Sequence, residues 1–389
     1  MSRNLTIVAD AHIWGVESAF SRLKGLNTRL RILENRDINR EMLMDTDILL
    51  TRSSTKVNAE LLQGTPVRFA ATATIGDDHY DKAWLDANGI AWANAAGSST
   101  GSVIEYMIAS LLQLHANGVI SIPDTAIGII GVGRIGSALA QVCKAVGIKV
   151  LLNDPPRQRR EGSGAFVSLD EVLEQADIIT LHTPMIRDKE DCTHHLINEE
   201  RLSRFQGRGI FNAARGGCLD NLALIDWLED DRSRFAALDC WENEPAPLQK
   251  LLQHPQMVIA TPHVAGHSLD GKAANTQYVY NALCQFLGIE QEWNMQQHLP
   301  APPAPIIIED SGDPWITIYA AARQLYPIDK DHATMKSWGG ICENELPTAF
   351  ASYRRHYPAR RAWMHSPVHF NSKVASVTQL AHAFGIKVI

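Results

Sequence analysis

Residues 125–156 read TAIGIIGVGRIGSALAQVCKAVGIKVLLNDPP. An apolar run, AIGII, ends in GVGRIG (131–136), which opens the helical pattern SALAQVCKAV. A second apolar run, KVLL, then ends at Asp154. Strand, glycine-rich turn, helix, strand and acid, in that order, form half of a doubly wound α/β sheet of the kind that holds a dinucleotide. Gly131 permits the tight turn, Gly133 lets the backbone approach a pyrophosphate, and Gly136 lets helix and strand pack closely. The phosphates would rest on free N–H groups at the helix start, where Arg134 and Ile135 sit. Asp154 would accept hydrogen bonds from the ribose hydroxyls and repel a 2′-phosphate, which favours NAD. Arg157, Arg159 and Arg160 lie close by and keep NADP open as a second reading. A lone G-x-G-x-x-G arises by chance; here its register with strand, helix and acid carries the weight.

Working outward, LTIVAD (5–10), DILLTRSS (47–54) and VRFAATATIGDDH (67–79) read as strands, and GVESAFSRLKGL (15–26) has helical spacing at Val16, Phe20 and Leu23. Strand and helix in alternation predict a parallel α/β unit. Ligands bind at the C-terminal ends of such strands, which marks Arg52, Ser53 and Thr74. A long apolar helix, SVIEYMIASLLQLHANG (102–118), leads into the second α/β run. Its later strands are ADIITLHTP (176–184), RGIFNAARGG (208–217), RFAALDCWENEP (234–245) and MVIATPHVAG (257–266). The proline-rich HLPAPPAPIIIEDSGDP (298–314) reads as a linker or irregular crossing. Beyond it, aromatic and arginine-rich helical patterns end in VTQLAHAFGIKVI, a helix and a final strand. This predicts a small third domain.

The 389 residues exceed what one hydrophobic core holds. A net charge of −7 argues against nucleic acid as a main partner, because phosphate binding needs a basic face. Six scattered cysteines with no C-x-x-C pair predict reduced thiols and a cytoplasmic protein. No signal peptide and no membrane span are expected, since no run of about 18 uninterrupted apolar residues occurs.

Hydride transfer between an alcohol and NAD needs three further groups: a cation for the substrate carboxylate, an acid–base group for the hydroxyl proton, and a partner that tunes it. Arg215 in NAARGG, His263 in TPHVAG and Glu244 in WENEP all follow predicted strand ends. A guanidinium binds a carboxylate with two parallel hydrogen bonds. A carboxylate beside an imidazole favours the imidazolium. Singly, each residue also fits a surface charge, a turn or a core histidine; together, after a dinucleotide motif, they point to catalysis.

GVGRIG, HTP, NAARGG, LDCWENEP and TPHVAG in this order resemble the D-2-hydroxyacid dehydrogenase family. The resemblance implies a flavodoxin-like substrate domain (1–100 with 268–297) and an inserted Rossmann NAD-binding domain (101–267). It implies an Arg215/Glu244/His263 catalytic set. It also implies cofactor contacts at His182, Thr183, Asp239 and Gly266, with Thr183 and Asp239 near the nicotinamide.

A narrower likeness runs nearly the whole chain, through TRSSTKVN (51–58), ATATIGDDH (71–79), NAAGSSTGSVIEY (94–106) and AGHSLDGKAANTQ (265–277). It is to a branch of that family acting on a small phosphorylated 2-hydroxy acid, whose tail is an α+β dimerisation domain; here that is 298–389, so a homodimer is implied. In this branch Ser53 and Thr74 contact substrate, and His267 stands where the branch carries a substrate-contacting tyrosine; Arg52, beside Ser53, is expected on chemical grounds as a phosphate neighbour. Ile75, Asp77, Ser98 and Ser99 also depart from the branch. An unphosphorylated 2-hydroxy acid, or an NAD-sensing scaffold without turnover, stays open as an alternative.

Two features are left out of the site. DCTHH (191–195) suggests zinc, but adjacent histidines are expected to point apart, so no metal is assigned. YRRHYPARR (353–361) suggests RNA, but overall acidity favours a dimer contact or a solvated helix face.

Overall fold

The computed structural model describes residues 3–187, 190–372 and 374–389. The chain divides into two compact units, Met1–Ser99 with Ser268–Ala301 and Thr100–His267 with Pro302–Ile389.

The first unit holds strands β1 (Arg3–Asp10), β2 (Leu26–Leu33), β3 (Ile48–Thr51), β4 (Phe69–Thr72) and β5 (Ala91–Asn94). They form one parallel sheet in the order β2-β1-β3-β4-β5, the flavodoxin order. β3 and β4 are buried throughout, which is why ILLT and FAAT carry no charge. Strand alternation sends Leu5, Ile7 and Ala9 into one apolar layer and Val8 into the other. The helix Leu269–Leu287 puts Val279, Tyr280, Leu283 and Cys284 into the Leu5–Ile7 layer. β2 and β5 escape a sequence reading because they are the edges of the sheet: β2 alternates between exposed and half-buried positions, and β5 is half-buried throughout. GVESAFSRLKGL is helical only over Val16–Phe20.

The second unit holds β6 (Ile127–Ile130), β7 (Val150–Asn153), β8 (Ile178–Leu181), β9 (Gly209–Asn212), β10 (Phe235–Leu238) and β11 (Met257–Ala260). All are parallel, in the order β11-β10-β9-β8-β6-β7. The strand order reverses between β6 and β8, and the crevice at the C-terminal ends beside this reversal is where doubly wound sheets take ligands.

The tail differs from expectation in three ways. The proline-rich stretch contains a strand, β12 (Ile306–Glu309), formed by its one uninterrupted apolar run, PIIIE. With β13 (Pro367–Asn371) and β14 (Lys387–Val388) it makes a sheet that is parallel throughout, so the tail is wound as α/β rather than α+β. The tail also groups with the second unit instead of standing apart. The reason is a shared core: Met107, Leu111 and Leu114 of the helix Thr100–Ala116 lie in one apolar cluster with Ile318, Ala322, Trp363 and Val368. Buried Glu105 pairs with Arg360 and accepts the Trp363 N–H at 2.7 Å. Among the described residues no helix is long and apolar enough to cross a membrane.

Candidate active site

Three glycines shape the turn after β6. Gly131 has φ 86°, and a Cβ there would lie 2.8 Å from the His182 carbonyl carbon and the Thr183 methyl. A Cβ on Gly136 would lie 2.1 Å from the Gly131 oxygen. A Cβ on Gly133, by contrast, would meet nothing within 4 Å. Gly133 caps the helix Arg134–Ala145 without any side-chain hydrogen bond, so the first-turn N–H groups at Arg134 and Ile135 are left for an anion. Asp154 braces the turn, accepting from Val132 N at 2.8 Å and Arg157 N at 3.0 Å. The arginines that kept NADP open are each paired with a carboxylate: Arg157 and Arg160 with Glu161, Arg159 with Asp191. His182 faces the glycine turn. Its Nε2 meets Thr180 Oγ1 at 3.0 Å, while its Nδ1 is buried with no hydrogen-bond partner among the described residues. Burial holds this ring neutral, pushing its pKa down to about 4. An open space over Gly133, an uncapped helix start and an orphaned buried nitrogen together fit a dinucleotide.

The turns after β9, β10 and β11 carry the other predicted residues. Asn212 closes the first turn: its Oδ1 accepts from Ala214 N at 3.1 Å and its Nδ2 donates to Arg215 O at 2.9 Å. Arg215 Nη1 donates to Ala214 O at 2.8 Å. This turn packs hard against the next, since a Cβ on Gly216 would lie 1.9 Å from Trp241 O. Glu244 Oε1 meets His263 Nδ1 at 2.7 Å, and each side chain is 27% exposed. Burial raises the Glu244 carboxyl, but the His263 charge and hydrogen bond, the Arg354 charge and the Trp241 N–H outweigh it, and the group sits below its ordinary range. The contact with Glu244 uses His263 Nδ1 and leaves Nε2 as the ring's other nitrogen.

His263 itself has φ 55°, a left-handed backbone that non-glycine residues rarely hold. Asp239 maintains it. Its backbone oxygen accepts from His263 N at 2.8 Å. Its Oδ1 accepts from Thr261 Oγ1 and Val264 N, both at 2.7 Å, and its Oδ2 from Ala265 N at 3.0 Å. Buried Asp239 is thus the brace of the histidine loop, a role its sequence position did not reveal. Gly266 and His267 follow in the same loop, and the His267 ring meets the edge of Tyr357 at 5.7 Å.

In the first unit, Arg52 is half-buried and Ser53 exposed just past β3. Past β4, Thr74 Oγ1 meets Thr72 Oγ1 at 2.7 Å and donates to Gly76 O at 2.8 Å. Asp77 is neutralised locally: Lys82 Nζ lies 3.0 Å away and Asn94 Nδ2 donates to it at 2.8 Å. Ser98 bonds the Ala95 carbonyl and Asn275, Ser99 is buried and Ile75 half-buried.

His194 and His195 do not point apart. The left-handed backbone of His195 (φ 48°) stacks the rings 4.2 Å apart, and His195 Nε2 sits 2.6 Å from Glu242. Ligand atoms of His194, His195 and Glu242 fall within 4.8 Å of one another. Glu242 and Asp220 flank the two nitrogens of His195.

Two residues near the site lay outside the sequence reading. Arg354 Nε donates to His263 O at 3.2 Å, and Tyr357 meets His267. Both belong to YRRHYPARR, about ninety positions downstream, and no local pattern links them to the histidine loop.

Residues 112–265 match the family model of the D-isomer specific 2-hydroxyacid dehydrogenase NAD binding domain. The erythronate-4-phosphate dehydrogenase of Pseudomonas syringae pv. tomato is 38% identical over 385 residues, 98% of this chain and 99% of that protein. The chain belongs to the erythronate-4-phosphate dehydrogenases, within the D-2-hydroxyacid dehydrogenase family. It is an NAD-binding oxidoreductase of that class. The Pseudomonas aeruginosa erythronate-4-phosphate dehydrogenase is 39% identical over 360 residues, 92% of this chain and 93% of that protein. A solved D-lactate dehydrogenase of Aquifex aeolicus, with NAD and lactic acid bound, shares the fold: TM-score 0.60, 24% identity, 72% of this chain and 95% of that one.

Proposed function

We propose that this family member oxidises 4-phospho-D-erythronate to 2-oxo-3-hydroxy-4-phosphobutanoate in pyridoxal phosphate biosynthesis. The observation that carries the reading is the 2.7 Å Glu244–His263 pair, set at the ends of β10 and β11 on the sheet whose β6 carries the glycine cradle. Gly131, Gly133, Arg134, Ile135, Gly136, Asp154, His182, Thr183, Asp239 and Gly266 would hold NAD, which would supply the acceptor for the hydride leaving C2. Arg215 binds the substrate carboxylate and orients C2. His263 removes the hydroxyl proton at Nε2, and Glu244 stabilises the imidazolium that results. In the reverse direction the same imidazolium returns the proton. Arg52, Ser53, Thr74 and His267 contact the rest of the substrate, including its phosphate.

The protein works as a cytoplasmic homodimer joined through its tail. Exposed Ile307, Met364, Val374 and Ile389 on the tail support that interface, and free cysteines support a reducing compartment. NADH absorbance after mixing protein and NAD with 4-phosphoerythronate, erythronate or glycerate tests the substrate. The expected result is turnover of the phosphorylated acid far above the other two. Preference for an unphosphorylated acid would overturn the substrate assignment, and no turnover of any acid would overturn the activity.

A further inference from the structure

His263 is a strained point of the site, as is Asn243 beside Glu244, and three contacts hold the His263 backbone. Its N–H is fixed from within the sheet, by Asp239 O at 2.8 Å and Thr261 O at 3.1 Å. Its carbonyl is held from outside, by Arg354 Nε at 3.2 Å. Arg354 lies in the last turn of the tail helix Leu346–Arg355, whose buried anchors Leu346 and Phe350 lie in the apolar cluster that contains Leu238 of β10 and Ala260 of β11. That tail segment is tied down further on, where Tyr353 and Tyr357 both donate to buried Asp331 at 2.7 Å.

We propose that Arg354 is a positioning residue for the reaction: its guanidinium, carried by the tail, pins the His263 carbonyl and keeps the imidazole aligned between Glu244 and the substrate. This rests on reading His263 and Glu244 as the proton-transfer pair. A left-handed non-glycine residue is costly to hold and persists only where its surroundings over-determine it. Releasing the carbonyl lets the peptide after His263 turn, and the ring follows. The charge of Arg354 also favours ionised Glu244, so the same group supports both members of the pair. The tail is thus part of the catalytic unit as well as a surface for assembly.

The test compares Arg354→Met, Arg354→Lys and Arg354→Ala with Arg355→Met, a change at the exposed neighbour. Arg354→Met is expected to lower kcat about tenfold to a hundredfold, the scale of a small misalignment of reacting groups. NADH affinity, measured by fluorescence, and the substrate KM should stay within about twofold of wild type. Arg354→Lys should recover part of the loss, and added guanidinium salt should raise the kcat of Arg354→Ala in a saturable way. A structural role alone would give neither rescue. Wild-type kcat in Arg354→Met overturns the inference, as does an equal loss in Arg355→Met. If His263→Asn turned over normally, the reading of the pair would fail and this inference with it.

Discussion

The loop after β11 and the wall after β4 both end a buried parallel strand, yet they are built differently. The loop after β11 is braced by a buried carboxylate with three hydrogen bonds, by a guanidinium on the following carbonyl and by an ion pair on the ring. The wall after β4 is held by short-range contacts among Thr72, Thr74 and Gly76 and by the Asp77–Lys82 pair near the surface. Proton transfer demands alignment within a fraction of an ångström, and preorganised groups supply it. The loop after β4, proposed as a substrate wall, needs shape and charge, which residue exchange can change without disturbing the strand beneath it.

Glu244→Gln tests the rigid side of this contrast most severely short of removing the histidine. It keeps the volume and an oxygen for the ring but loses the charge that favours the imidazolium. A fall in kcat of about 10²-fold is expected, the lower end of acid–base contributions. The same variant carries a pH signature. The folded-state pKa of Glu244 lies below its ordinary 4.5, so its share of stability is complete above that pH and is lost as pH falls through the folded value. Unfolding curves of wild type should therefore weaken more steeply below pH 4.5 than those of Glu244→Gln; parallel curves would break the assignment of Glu244 as an ionised carboxylate held by its neighbours.

On the other side, Asp77→Asn should cost little. Exposed ion pairs contribute about 0–1 kcal/mol, so the melting temperature should barely move. Because Lys82 and Asn94 already occupy Asp77, the KM for a phosphorylated acid should change by no more than about threefold, on the scale of a screened charge near the surface. A large fall in KM would show that Asp77 faces the substrate and would sharpen the contrast against this account.

How much was legible follows the same division. Gly131 and Gly136 could be placed from sequence because a tight turn and a close packing contact demand glycine at fixed spacing; Asp154 was marked for a ribose, and its capping of the helix Pro155–Glu161 was not read. Glu244 and His263 could be paired because each follows a strand of the same sheet by a few positions. Arg354 could not, since its link to His263 runs through a tail helix packed by nonlocal contacts. β2 and β5 were missed because edge strands need no apolar run, and β12 because prolines around it resembled a linker. The facing of His194 and His195 depended on one left-handed residue, which sequence spacing does not reveal.

The proposed proton carrier, His263 tuned by Glu244, lies outside the glycine turn at Gly131–Gly136 that would take the cofactor's phosphates. Single-turnover NADH formation by His263→Asn, measured beside NADH binding to the same variant, tests that role most directly. The account predicts normal binding and a rate lower by about 10²–10⁴-fold. Normal binding with an unchanged rate would contradict it.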